Sequence, residues 1–145
     1  MRTYLPNWNT KVEEVSNGVF KVTLTDQLGR KVETSDAATD ETIEKAIADA
    51  FEIEKQATKN WNKFLYDLCL LLFLDNEITF KEYNDRAFGS WFIEISGNKR
   101  LVYNGRDYWL ITQVKSGKNW NDQESIDNSD LTYPQLLRII ADLKS

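Results

Sequence analysis

The feature that most constrains the fold is an apolar segment at residues 61–74, WNKFLYDLCLLLFL. Apolar side chains recur at helical spacing on one side of this segment and fill much of the other side. A helix that is apolar nearly all round must be buried on all sides or shared with a partner. We therefore expect a central helix at 61–74, with a homodimer contact through residues 64–74 as the alternative.

The segment before this helix alternates with the period of a β-strand. In VFKVTLTD, Phe20, Val22 and Leu24 share one face. Turn signals at Asn17-Gly18 and Gly29 separate neighbouring apolar stretches. Residues 11–34 therefore predict an antiparallel meander with strands near 11–15, 18–25 and 30–34.

The segment after the helix has the same organisation. Alternation over SWFIEISGNKRLVYNGRDYWLITQV predicts a second three-stranded meander at about residues 91–115, with a third strand from Tyr108 to Val114. Asn104-Gly105 lies between two apolar stretches and is a strong hairpin signal.

Helical spacing of apolar residues predicts flanking helices at 40–56 and 133–144. Thr132 and Gln135 form a capping-box pattern, and Pro134 suits a first helical turn. The chain is thus expected to be a single α+β domain over residues 1–145, with both meanders packed on the central helix.

Two further segments carry weaker signals. Thr79 and Glu82 form another capping-box pattern, which predicts a short helix over residues 80–86. The stretch 122–130, which is rich in oxygen ligands, is predicted to be a solvated connection and not a metal site, because it lacks the ligand spacing of a calcium loop.

Composition restricts the cellular compartment and the classes of partner that we expect for the protein. The single cysteine, Cys69, excludes an intramolecular disulfide and lies in an apolar run, so we expect a buried, inert thiol. We see no apolar leader at the N-terminus and no apolar run long enough for a membrane span, so we expect a cytoplasmic protein and no membrane contact. The net charge of −5 disfavours nucleic-acid binding through phosphate contacts.

The residue content also argues against catalysis. There is no histidine, which removes the commonest general base, metal ligand and catalytic-triad member. No glycine-rich phosphate loop is present. We therefore expect no enzyme activity, no cofactor and no metal site.

Binding is the remaining class of function. The residues best suited to recognition form one set, which is Arg100, Tyr103, Arg106, Asp107, Tyr108, Trp109 and Trp120. Trp91 is a further candidate for the lining of a ligand pocket. For Trp109 alone, packing in the core is the favoured interpretation, and for Arg106, plain exposure.

A second candidate surface is acidic. Glu41, Glu44, Asp49 and Glu52 are predicted on one helix, either as an ordinary solvated face or as a docking face for a basic partner. The leading hypothesis is a small acidic protein that acts through protein–protein contact, as an inhibitor, immunity-type protein or adaptor. The alternative is a module that binds a small nucleotide-like anion through Arg100, Arg106, Tyr108 and Trp109.

Overall fold

The computed structural model describes residues 5–37, 39–57, 60–74 and 77–145. The chain divides into two compact units, residues 1–59 and 60–145. Both contain antiparallel strands and α-helix, which confirms the α+β class. The expectation of a single domain stays a prediction.

The N-terminal unit is a three-stranded antiparallel sheet with one helix packed on it. Its elements are β1 (Trp8–Ser16), β2 (Val19–Asp26), β3 (Lys31–Asp36) and α1 (Thr39–Ala57), and β2 is the central strand. The first meander and the helix at 40–56 are thereby confirmed. Alternation places Val22 and Leu24 of β2 on one face, where both are fully buried. Ala50 and Phe51, in the apolar stripe of α1, are also fully buried.

A cluster of buried polar side chains ties the parts of this unit together. The Trp8 indole N–H and Arg30 Nη2 both donate to Glu54 Oε1, at 2.9 and 2.8 Å. Arg30 Nε also donates to Asp26 Oδ2, and its guanidinium lies 5.5 Å from the Trp8 ring centroid. The side chains of Asp26 and Glu54 are 2% and 5% exposed, so Arg30 neutralises two largely buried charges.

The Asp26 carboxyl in this cluster gives the protein a specific pH dependence. Burial raises the pKa of Asp26, but the hydrogen bonds and charge of Arg30, together with the main-chain N–H of Leu28, bring that pKa below its ordinary value. Such a group stabilises the folded state above the unfolded-state pKa of about 3.9, and this stabilisation is lost as the pH falls through the lower folded-state pKa.

We therefore expect Asp26→Asn to be less stable than the parent at about pH 7 and to lose less stability than the parent between about pH 5 and pH 2. Urea denaturation at stepped pH, followed by circular dichroism, measures both quantities. Parallel losses of stability in the two proteins would contradict this role of Asp26.

The C-terminal unit is a five-stranded antiparallel meander with two helices. It contains α2 (Trp61–Phe73) and α3 (Tyr133–Lys144), with short 3-10 turns at Asp85–Ala87 and Asn128–Asp130. The strands, in sheet order, are β4 (Ile78–Asn84), β5 (Ser90–Ile95), β6 (Lys99–Asn104), β7 (Trp109–Ser116) and β8 (Asn119–Asp127). The three predicted strands of the second meander are confirmed as β5, β6 and β7, but they belong to a sheet of five strands and not three. Both predicted helices and the capping box of Thr132 and Gln135 are confirmed.

Two local predictions in this unit are wrong. Residues 80–86 do not form the predicted helix, because residues up to Asn84 belong to β4, which pairs with β5, and only a short 3-10 turn follows at Asp85–Ala87. The Thr79 hydroxyl donates to Glu94 instead of capping a helix. The stretch 122–130 is not a loop, because its residues up to Asp127 belong to β8 on the edge of the sheet. An edge strand such as β8 can be almost wholly polar, because its unpaired edge faces water and its main-chain hydrogen bonds to β7 hold it extended.

Alternation separates the two faces of this sheet. One face packs towards the helices and is buried, as at Trp91, whose ring lies 5.5 Å from that of Tyr66 in α2. We call the opposite face the distal face; it carries Phe92, Glu94, Arg100, Val102, Trp109, Ile111 and Gln113. The prediction that Trp109 packs in the core is therefore wrong, because the side chain lies on the distal face and is 39% exposed.

The hydrophobic helix α2 is buried along most of its length. Cys69 is fully buried, and burial raises the pKa of its thiol, as expected for an inert cysteine. Leu71 and Leu74, at the end of the helix, are 48% and 59% exposed. The homodimer contact through residues 64–74 stays a prediction.

Candidate partner-binding site

The candidate site is built from two connections at one end of the five-stranded sheet. They are the turn at residues 85–89, between β4 and β5, and the loop at residues 105–108, between β6 and β7. We call these two segments, together with Trp109, the loop edge.

The β6–β7 loop is organised by the side chain of Asn104. Its Oδ1 accepts from the main-chain N–H groups of Arg106 and Asp107, at 3.0 and 3.2 Å. Its main-chain oxygen accepts from the Tyr108 N–H at 2.8 Å. Asn104 then pairs with Trp109 across the hairpin. The predicted hairpin is confirmed, but Tyr108 belongs to the loop, with a φ of 63°, and the strand starts one residue later.

Gly105 is required by contact with the neighbouring turn. A Cβ at this position would lie 2.2 Å from the carbonyl oxygen of Phe88. The Gly105 N–H donates to the Ser90 hydroxyl at 2.9 Å, which joins the loop to the start of β5. The two connections of the loop edge are therefore packed backbone to backbone.

The second connection presents Phe88 in a left-handed conformation, with a φ of 61°. The Asn62 side chain donates to the Phe88 carbonyl at 3.0 Å, and the Gly89 N–H donates to the Asn84 carbonyl at 3.1 Å. A non-glycine residue with this backbone costs of order 1–3 kcal/mol and persists only where its surroundings hold it.

The loop edge leaves its large side chains in solvent. Phe88 is 64% exposed, Tyr108 is 54% exposed, and the Arg106 guanidinium lies 5.8 Å from the Phe88 ring centroid. Aromatic residues and arginine are the types that most often dominate binding energy at protein interfaces. Because the backbone beneath them is already held, little ordering would be needed when a partner binds.

Other predicted site residues lie elsewhere in the C-terminal unit. The Arg100 guanidinium is held on the distal face, 4.3 Å from the Trp120 ring centroid and 5.5 Å from that of Phe92. Its Nε donates to Gln113 at 2.6 Å. Burial lowers the pKa of Arg100, opposed by the charges of Glu94 and Asp122. Arg100 precedes Asn104 by four strand residues, so about 13 Å of strand separates it from the loop edge.

Tyr103 and Trp91 belong to the core. Their rings stack at 5.5 Å with an angle of 16° between the planes, and Tyr103 is fully buried. Burial raises the pKa of the Tyr103 phenol. The residues predicted as one binding set therefore divide into a loop-edge group, a distal-face group and a core group.

The predicted acidic surface lies on α1. Glu41, Glu44 and Asp49 are exposed, and Glu52 is half-buried with its carboxylate 3.2 Å from the ammonium of Lys55. The helical spacing places all four on one side of α1, away from the buried stripe.

Phe88 is the site residue that the sequence did not predict. The adjacent Gly89 indicates a turn, but the approach of Phe88 to Gly105 and Arg106 joins residues that are 17 and 18 positions apart. That contact depends on the pairing of β5 with β6, which no local pattern encodes.

Comparison with known proteins gives no match: no family model, no curated protein and no solved structure is similar to this chain. Among the described residues, no helix is long and apolar enough to span a membrane. Within the same ranges, no three histidine, cysteine or acidic side chains are grouped so that they could hold a metal ion.

Proposed function

We propose that this protein acts by binding another protein through the loop edge, as an inhibitor, immunity-type protein or adaptor, and not by catalysis. The observation that carries the proposal is the exposed group of Phe88, Arg106, Tyr108 and Trp109 on a backbone held by side-chain hydrogen bonds. The absence of histidine and the burial of Cys69 support a binding role over a catalytic one. A single, reduced thiol also suits the cytoplasm.

The arrangement of the arginines favours a protein partner over a small anion. Arg100 and Arg106 lie at different parts of the sheet, so they do not form one anion pocket. Arg100 is also accompanied by Glu94 and Asp122, whose charges would repel an anion. A broad aromatic surface that also carries arginine suits the centre of a protein–protein interface.

The acidic side of α1 is the second candidate surface. Its three exposed carboxylates would increase the association rate of a basic partner, while contributing less to affinity once the complex has formed. Binding through the loop edge and binding through α1 therefore predict different effects of the same substitutions on the affinity for the partner.

Photo-crosslinking in cells tests the loop edge directly. A photoreactive amino acid replaces Phe88 or Tyr108, and, as a matched control, Val15 of β1, whose exposure of 53% is close to the 54% of Tyr108. We expect the first two positions to capture one common partner that the Val15 position does not capture. Crosslinks from Val15 alone would contradict the proposal.

Binding of the purified partner then measures the energetic contribution. We expect Tyr108→Ala to weaken the complex by about 2 kcal/mol, or about 30-fold in Kd. Leu28→Ala, which removes a side chain that is 80% exposed in the N-terminal unit, should leave Kd unchanged. If Glu41→Lys with Glu44→Lys abolished binding while Tyr108→Ala did not weaken it, α1 and not the loop edge would be the site.

A further inference from the structure

A cavity of about 240 Å³ lies between α3 and the strands β6, β7 and β8. Its apolar wall is formed by Val114 of β7 and by Ile139 and Leu143 of α3. Its volume is below the usual range for sites that bind drug-sized ligands, so it suits a molecule of amino-acid size.

A β-bulge opens the sheet at this cavity. Thr112 pairs with Glu124 and Gln113 pairs with Asp122, so Gln123 has no partner on β7. Gln123 lines the cavity as a result. Bulges of this kind re-aim side chains and are over-represented next to binding and active sites.

Thr112 is the polar residue that β7 contributes to the cavity lining. Thr112 is more than nine-tenths buried, with 8% exposure, and lines the cavity. No hydrogen bond joins its hydroxyl to another residue in the described ranges. A hydroxyl beside a small cavity can donate to or accept from a polar ligand atom.

Charged groups of both signs complete the lining. The Lys99 ammonium donates to the main-chain oxygen of Ser145, which leaves it two further hydrogens to donate. Glu124 and Asp142 each accept from Arg138, at 2.7 and 3.1 Å, and their carboxylates keep further lone pairs. Positive and negative groups are therefore both available beside an apolar wall.

We infer that this cavity binds a small zwitterion with an aliphatic side chain, of the class of leucine. The carboxylate of such a ligand would accept from Lys99 and Thr112, and its ammonium would donate to Glu124 or Asp142. Its aliphatic chain would cover Val114, Ile139 and Leu143. An anion alone would face two carboxylates, and a hydrocarbon alone would leave the Thr112 hydroxyl unsatisfied. This site is separate from the loop edge and does not depend on a protein partner.

Calorimetric titration of the full chain with three probes tests the ligand class. The probes are leucine, isopentylamine, which lacks the carboxylate, and 4-methylpentanoate, which lacks the ammonium. We expect leucine to bind and each truncated probe to bind about tenfold more weakly, because each loses charge-assisted hydrogen bonds. No heat from any probe in the millimolar range, or equal affinity for all three, would overturn the inference.

Two pairs of variants test the location. Val114→Phe should fill the cavity and abolish leucine binding, whereas Ile111→Phe, on the distal face of the same strand, should not affect it. Thr112→Val keeps the shape of the side chain and should weaken leucine binding about fivefold. Circular dichroism confirms that each variant is folded. Unchanged leucine binding in folded Val114→Phe would place the ligand elsewhere and overturn the assignment of this cavity.

Discussion

Replacing Arg30 by methionine should lower the free energy of unfolding by about 3 kcal/mol, because it leaves two buried carboxylates without their counter-charge. Asp26 would retain only its main-chain donors, and Glu54 only the indole of Trp8. The expected cost is at the low end for a broken buried ion pair, since the Arg30 side chain is itself 25% exposed. Chemical denaturation followed by far-ultraviolet circular dichroism measures the change.

The adjacent residue provides the control for this substitution. Lys31 pairs with Glu33 at 2.7 Å, but both side chains are largely in solvent. Lys31→Met should therefore change the free energy of unfolding by less than about 1 kcal/mol. If Arg30→Met had an effect as small as that of Lys31→Met, the cluster of Trp8, Asp26, Arg30 and Glu54 would not be a major source of stability.

Replacing Gly105 by alanine should lower the free energy of unfolding by about 3 kcal/mol, at the upper end for overpacking. The added methyl group would lie 2.2 Å from the Phe88 carbonyl oxygen, and that atom belongs to a main chain already held by Asn62. Relief of the clash requires the two connections of the loop edge to separate. Thermal and urea unfolding measure the loss of stability.

Gly97→Ala is the matched control, because a Cβ at Gly97 would contact nothing within 4 Å. Its cost, about 1 kcal/mol, comes only from the φ of 73°. Gly105 has no such backbone requirement, so a difference between the two variants isolates the steric contact. Equal losses would show that the loop edge accommodates the methyl group without separating its two connections.

Much of the fold could be predicted because its signals are local. The three strands of the first meander, the helices and the hairpin at Asn104-Gly105 each follow from periodicity or turn chemistry within a few residues. The capping box of Thr132 is likewise complete within four residues. Such features are set by interactions along the chain, so the order of residues is enough to predict them.

The two incorrectly predicted segments depend on contacts between strands and not on local signals. The local pattern at Thr79 and Glu82 suits a helix, but pairing of β4 with β5 outweighs it. No pattern within β8 identifies it as a strand, because the strand conformation is stabilised by pairing with β7. Pairing energy depends on a neighbour in space, and this contribution is absent from any short window of sequence.

The sequence by itself determined the α+β class, the absence of histidine, the absence of an intramolecular disulfide, and the charged and aromatic stretch from Arg106 to Trp109. Only the tertiary structure decided that Trp109 lies on the distal face, that Arg100 lies apart from Arg106, and that Phe88 joins the loop edge. The physical reason is that residue type and spacing set local conformation and chemistry. Which side chains lie together, and which stay in solvent, depends on how the strands pair and on which face the helices cover.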